Sequence, residues 1–118
     1  MFRNKVVVVT GGANGIGKCI AEEFKKDGAT VCVIDIVPGD HYVGDISKKE
    51  VLEAFAEAVI AKHGHVDILV NNALPIMRGI AQCSYDEFQY ALAVGVTAPF
   101  YLSKLFAPHM PKGSSIIN

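Results

Sequence analysis

The residues best suited to chemistry stand early in the chain. Thr10-Gly11-Gly12-Ala13-Asn14-Gly15-Ile16-Gly17 sets four glycines between an apolar β-branched run and a stretch of helical periodicity. A helix N-terminus presents unpaired N–H groups and a partial positive charge, and glycines let an anion come close to them. A pyrophosphate suits this loop, with Gly11, Ala13, Asn14, Gly15, Ile16 and Gly17 as the contacting residues. Asp35 ends a second apolar run, 18 residues beyond Gly17. A carboxylate there accepts hydrogen bonds from both hydroxyls of an adenosine ribose. It also repels a 2′-phosphate, and no Arg or Lys in the loop or directly after Asp35 offsets that charge. Loop and carboxylate together predict a dinucleotide site that prefers NAD to NADP.

Other spacings invite other chemistry, and each has a plainer reading. Gly12–Cys19 is Gly-x-x-x-x-Gly-Lys-Cys, one residue away from a phosphate-binding P-loop. The last position of that motif is a hydroxyl on Mg²⁺, and a thiol is a poor ligand for so hard a cation; Lys18 reads instead as a solvated helix residue. His63-Gly64-His65 reads as a helix C-terminus, where glycine caps and histidine meets the dipole. No carboxylate–cysteine set accompanies it, so no metal is expected. Arg78 is either a solvated loop charge or a contact for an anionic substrate. Cys83 precedes a helix start, a setting that lowers thiol pKa values, although burial as a small apolar residue is the default.

Strands and helical stretches in alternation must position these residues. Lys5–Thr10 is a β-branched run suited to a strand buried on both faces. Gly15–Gly28 follows as a helix, with Ile16, Ile20, Ala21 and Phe24 at helical spacing and Gly28 as its stop. Thr30–Ile36 is a second strand. Ser47 and Glu50 form a Ser-x-x-Glu capping box opening a helix to about His63. Val66–Val70 is a strand, and Ser84 with Glu87 makes a second capping box before an apolar helical stretch to about Ala107. Pro99 should bend that stretch. Ser114–Ile117 begins a last strand. The alternation predicts an α/β fold: a doubly wound parallel sheet of order 3-2-1-4-5, with the ligand at the switch between the first and fourth strands.

One connection departs from that plan. Only Val37–His41 separates the second strand from Tyr42-Val43, and a helical crossover needs roughly 10–12 residues. The helix after the second strand is therefore missing, and Tyr42-Val43 is at most a short edge strand.

Bulk properties agree with one domain over residues 1–118. Hydrophobic residues make up 51% and charged residues 19% of the 118, enough apolar surface for a core. The net charge of -1 supplies no field for nucleic acid or an anionic membrane. No long apolar run follows Met1–Lys5, so neither a signal peptide nor a membrane partner is expected. Cys19, Cys32 and Cys83 show no Cys-x-x-Cys spacing and read as free thiols of a cytoplasmic protein.

Three segments together resemble the short-chain dehydrogenase/reductase family: the Thr10–Gly17 loop, Gly44-Asp45-Ile46, and Asp67-Ile68-Leu69-Val70-Asn71-Asn72-Ala73. Their order and approximate spacing are the family's, and the likeness spans essentially the whole chain. It implies a Rossmann-type sheet, incomplete at its C-terminal side, on which Asp45 and Ile46 touch adenine and Asn72 and Ala73 support the cofactor. Asn71 is then more structural. Asp45 read alone is a turn carboxylate ahead of a helix.

The departures from the family are specific. Leu74 stands where the family usually has glycine after Asn-Asn-Ala. Gly95 stands where it usually has an Asn that maintains a kink and a proton-relay water. The family's catalytic Ser, and the Tyr followed four residues later by Lys, follow the strand that begins at Ser114. Tyr101 and Lys104 are three apart and read as packing residues.

The resemblance implies an NAD-dependent oxidoreductase moving hydride to or from a small-molecule hydroxyl or carbonyl substrate. A non-catalytic dinucleotide-binding or scaffold protein is the alternative that Gly95 and Leu74 leave open. Residues 91–107 are apolar around the whole axis, with Lys104 the sole charge. This predicts a helix that is wholly buried or presents one face to another subunit. The resemblance implies that it pairs with its twin across a two-fold axis in a homodimer or homotetramer, with Phe100, Tyr101 and Phe106 as interface or core anchors.

Overall fold

A computed structural model describes residues 1–75 and 78–118. Strand β1 (Val6–Thr10) leads into α1 (Gly15–Lys26), β2 (Thr30–Asp35) and β3 (Tyr42–Val43). Helix α2 (Lys49–His63) returns the chain to β4 (Ile68–Asn71). Helices α3 (Tyr85–Leu92) and α4 (Ala98–Phe106) flank a π-helical turn at Ala93–Thr97, and β5 (Ser115–Ile117) follows. The sheet runs β3-β2-β1-β4-β5 with every pairing parallel. This is the doubly wound α/β architecture expected from the alternation of strand-length and helix-length segments.

Strand β1 is central, paired with β2 on one side and β4 on the other, and all five of its residues are buried. Alternate side chains leave opposite faces of a strand, so β1 feeds two cores. Val6 and Val8 join Leu52, Phe55 and Val59 of α2 with Ala98, Leu102 and Phe106 of α4. The Phe55 and Phe106 rings meet edge to face at 6.2 Å. Val7 and Val9 join Val70 and Ala21 of α1 on the other face.

The short link after Asp35 leaves no helix, and β3 is two residues long at the sheet edge, paired with Ile34 and Asp35 alone. One local expectation fails. The Ser47–Glu50 capping box does not form: α2 starts after Lys48 with no side-chain cap. Ser47 instead donates its N–H to Asp45 Oδ1 at 2.9 Å, a local turn that competes with capping. The second box does form, with both the Glu87 N–H to Ser84 Oγ and the Ser84 N–H to Glu87 Oε1 bonds present.

Pro99 is expected to bend this stretch, and the helix departs from α geometry just before it. Residues Ala93–Thr97 take a π turn in which the Ala98 N–H donates to the Ala93 carbonyl. Proline removes the donor for the carbonyl four residues earlier, and a wider turn is one way a helix accommodates the break. Strand ends also move slightly: β4 begins at Ile68, and just before it the Asp67 carboxylate accepts the Val6 N–H at 2.8 Å. By length and hydropathy Tyr85–His109 would suit a membrane span. Its buried residues Ala91, Val94, Ala98, Leu102 and Phe106 instead form the inner face of a helix packed on α2 and the sheet.

Candidate functional site

The C-terminal ends of β1 and β4 are tied together by one hydroxyl. Thr10 ends β1 fully buried, and its Oγ1 accepts the Asn72 and Ala73 N–H groups, both at 3.0 Å. Asn72 then donates through Nδ2 to the Gly11 carbonyl at 3.2 Å. Gly17 lies beneath this bond, where a Cβ would sit 2.2 Å from Gly11 O and 2.4 Å from Asn72 Nδ2. Such distances are far inside van der Waals contact, so only glycine fits. Thr10 is not among the residues expected at the site. A polar residue ending an otherwise all-valine strand is the signal that could have marked it.

Helix α1 starts after Asn14 with no side-chain cap and no acidic residue in its first turn. Its leading N–H groups and positive dipole end therefore suit an anion from outside the helix. Asp35 reaches back to the same loop, its Oδ2 accepting the Ala13 N–H at 3.1 Å and its Oδ1 the Val37 N–H at 3.4 Å. Each carboxylate oxygen has two lone pairs, so both retain capacity for a further donor.

At the far end Asp45 Oδ1 accepts from Ser47 N and, at 3.2 Å, from the Tyr90 hydroxyl. Partial burial pushes the Asp45 carboxyl up, but the backbone and side chain of Ser47, Tyr90 and Lys48 outweigh it and hold the group below its ordinary value. Burial and the Asp45 charge push the Tyr90 phenol up. Ile46 is buried beside them.

A cavity of about 320 Å³ joins these parts. Gly11, Ile16, Asp35, Asp45, Ile46, Asn72 and Ala73 all line it, together with Ile36, Tyr90 and Val94. Ala13 and Asn14 line a larger groove of about 620 Å³ along the outer side of β2, where the helix after that strand is missing. Gly15 is exposed with open space around its Cα, and Gly17 supports the loop from below. Tyr90 carries no sequence signal, because its partner is 45 residues away.

The donor set fits a dinucleotide. The uncapped start of α1 suits a phosphate group, Asp35 in the cavity wall retains acceptor capacity for hydroxyls, and the Ile36, Ile46 and Val94 side of the same cavity suits a flat apolar ring. Among the described residues no Lys or Arg lines the 320 Å³ cavity.

The remaining candidates lie elsewhere. Gly64 takes the left-handed conformation expected of a helix cap. His65 pairs with Asp67 at 2.9 Å at the opposite end of β4 from the cavity. No group of three or more His, Cys, Asp or Glu among the described residues is arranged to hold a metal. Arg78 pairs with Glu87 through Nε at 2.9 Å and through a second, shorter bond. Cys83 is half-buried, its Sγ 3.5 Å from the Ser84 carbonyl. Tyr101 donates to Glu53 Oε2 at 2.6 Å, tying α4 to α2, so it does not pair with Lys104. Asn71 donates to Asn118 Oδ1 at 2.8 Å between β4 and the residue after β5, a structural role. Gly95 sits exposed in the π turn, with nothing within 4 Å of the place a Cβ would take.

Residues 5–118 match the family model described as short chain dehydrogenase. A probable galactose dehydrogenase of Rhizobium meliloti is 32% identical over 140 residues, covering 99% of this chain and 54% of the relative. Among solved structures, an apo SCOR enzyme from Clostridium thermocellum is 37% identical with a TM-score of 0.88, over 100% of this chain and 54% of the other. A metagenomic short-chain oxidoreductase in complex with NADP is 29% identical with a TM-score of 0.83, over 92% and 56% of the two chains. The chain spans about half the length of the curated relatives it matches. With its glycine loop, its Asp45-Ile46 turn and its Asn72-Ala73 junction gathered at the switch between β1 and β4, the chain belongs to the short chain dehydrogenase family.

Proposed function

We propose that the intact protein is an NAD-dependent oxidoreductase acting on a hydroxyl or carbonyl group. The nicotinamide, when bound, supplies or accepts the hydride. The residues of this chain bind and orient: the α1 N-terminus and its glycine loop hold the pyrophosphate, Asp35 the adenosine ribose, and Asp45 with Ile46 the adenine. Asn72 and Ala73, tied to Thr10, support the cofactor where β1 and β4 diverge.

The observation that carries the reading is Asp35, whose carboxylate is anchored to the Ala13 N–H of the glycine loop and lines the cavity. A 2′-phosphate in its place would meet a fixed negative charge, with no Lys or Arg among the described residues of the cavity wall. Family relatives differ here, since one solved neighbour is in complex with NADP. Calorimetric titration of the intact protein with NAD and NADP tests the assignment. NAD should bind more tightly; equal or tighter NADP binding refutes the role given to Asp35.

A second reading, a non-catalytic dinucleotide-binding or scaffold protein, draws on Gly95, which brings no side chain to a proton relay. Turnover of NAD with a panel of simple alcohols and sugars separates the two: binding without reduction by any of them favours the scaffold.

Pairing through the long helix is also proposed. Phe88, Leu92, Val96 and Phe100 recur at helical spacing and are exposed, whereas Phe106 is in the core. An exposed apolar stripe on a long helix suits a two-fold contact. Light scattering should give a dimer or tetramer, and a monomer at micromolar concentration would remove the proposal. Three free cysteines support a reducing compartment, which we take to be the cytoplasm.

A further inference from the structure

Tyr90 stands outside every motif of the sequence, yet its side chain reaches from α3 to the turn ahead of α2. Its hydroxyl donates to Asp45 Oδ1 at 3.2 Å, and the same oxygen accepts the Ser47 N–H at 2.9 Å. Both hydrogen bonds therefore end on one carboxylate oxygen. A carboxylate on a solvated turn is free to rotate about its last torsion. Here rotation would break two hydrogen bonds at once, so Oδ1 is committed. Oδ2, which accepts no hydrogen bond among the described residues, is the spare acceptor of a residue that lines the cavity. The Tyr90 ring borders the same cavity beside Ile46 and Val94, which adds an apolar surface where a flat base can lie.

We propose that Tyr90 is a positioning residue that sets the base selectivity of this site by holding Asp45 in one orientation. This rests on reading the cavity as a dinucleotide site. An ionised carboxylate oxygen is an acceptor only, and Asp45 is held below the ordinary carboxyl pKa. A base with an exocyclic amino group gives it a donor. A base with a carbonyl at that place sets oxygen against oxygen, and that arrangement is repulsive. The geometry therefore selects adenine over hypoxanthine, and it does so through a residue that need not touch the base edge. Without the phenol, Asp45 keeps its charge but gains freedom to turn, and the discrimination weakens while the rest of the site is intact.

The test uses the intact protein, with NAD and nicotinamide hypoxanthine dinucleotide titrated separately against wild type, Tyr90→Phe, Asp45→Ala and the double variant. Wild type should favour NAD by about tenfold, the scale of one hydrogen bond to a charged group. Tyr90→Phe should weaken NAD binding by about three- to tenfold and leave the hypoxanthine analogue within about twofold, so that the preference collapses. In the Asp45→Ala background the tyrosine substitution should change the preference no further, because the residue it acts through is gone. A Tyr90→Phe protein that keeps the wild-type preference overturns the proposal. So does a change that persists undiminished in the Asp45→Ala background, since that would mark a general loosening of α3. Wild type that binds neither dinucleotide overturns the cavity's assignment along with it, an outcome distinct from tight NAD binding that ignores Tyr90.

Discussion

Gly17 lies so close under the Gly11 carbonyl that a β-carbon built on it would sit 2.2 Å from that oxygen. The same atom would be 2.4 Å from Asn72 Nδ2, whose hydrogen bond to Gly11 closes the junction between β1 and β4. Both neighbours are held in place by the strands that carry them. Gly17→Ala should therefore push α1 away from the sheet and cost about 2–3 kcal/mol, as overpacking does in a closed core. Urea denaturation of the intact protein checks this, and an unchanged midpoint would contradict the close approach.

Asp35 joins the glycine loop to β2 through the Ala13 N–H. Asp35→Ala removes that bond together with the acceptor proposed for the ribose. NAD affinity should fall by about tenfold or more, on the scale of about 1.5–3 kcal/mol for a hydrogen bond to a charged group. NADP affinity should change less, since the loss of repulsion compensates. Parallel titrations of the two cofactors decide it, and an equal loss for both would mean that Asp35 serves the loop and not the cofactor.

At the opposite end of the sheet Asp67 is buried, accepting the Val6 N–H at 2.8 Å and pairing with His65 at 2.9 Å. Removing it leaves a buried N–H without an acceptor at the start of the central strand. Asp67→Ala should destabilise the fold by about 3 kcal/mol and leave the dinucleotide affinity of the folded protein unchanged. A lowered thermal midpoint with intact NAD binding is the expected pair of results.

The Arg78 hydrogen bond is the main reason the Glu87 carboxyl falls from 4.5 to about 2, with the Ser84 N–H adding to it. A depressed folded value means that the contribution is complete above about 4.5, declines as pH falls toward 2, and is absent below. Both side chains are solvated, so the effect is local to the start of α3. Carboxyl NMR should show Glu87 titrating well below the other surface glutamates, and Arg78→Gln should bring it back toward them. Titration of the wild-type group near 4.5 would show that the pair does not persist in solution.

Gly95 has open space around its Cα in the π turn. Gly95→Asn should therefore fold normally and gain a few tenths of a kcal/mol, because glycine is a poorer helix residue than asparagine. If the intact protein works through a relay like that of its family, turnover should rise with little change in KM. A thermal midpoint lowered by the substitution would show that the π turn requires glycine.

Much of the architecture was legible because its causes are local. Apolar runs of strand length alternate with helical periodicity, and that alternation dictated a parallel sheet wrapped by helices. The short link between Asp35 and Tyr42 cannot hold a crossover helix, so length alone allowed at most a short edge strand at Tyr42-Val43, and the structure forms it as the two-residue β3. The Thr10–Gly17 loop and Asp35 were legible as candidates from their own residue types and spacing, whereas Asp45-Ile46, read alone an ordinary turn, was singled out only by the family resemblance. The structure brings Gly11, Ile16, Asp35, Asp45 and Ile46 to one cavity. The failed Ser47–Glu50 box shows the limit of such signals: the pattern was present, but the Asp45 carboxylate two residues earlier captured the serine N–H first. What only the tertiary structure decided was the set of contacts between segments far apart in the chain. Thr10 bonds residues 62 and 63 positions away, Tyr90 meets Asp45 across 45, and the Asp67 carboxylate returns to Val6 across 61. No spacing rule encodes these partners, because a hydroxyl or carboxylate acquires its partner only when the sheet brings two strand ends within about 3 Å.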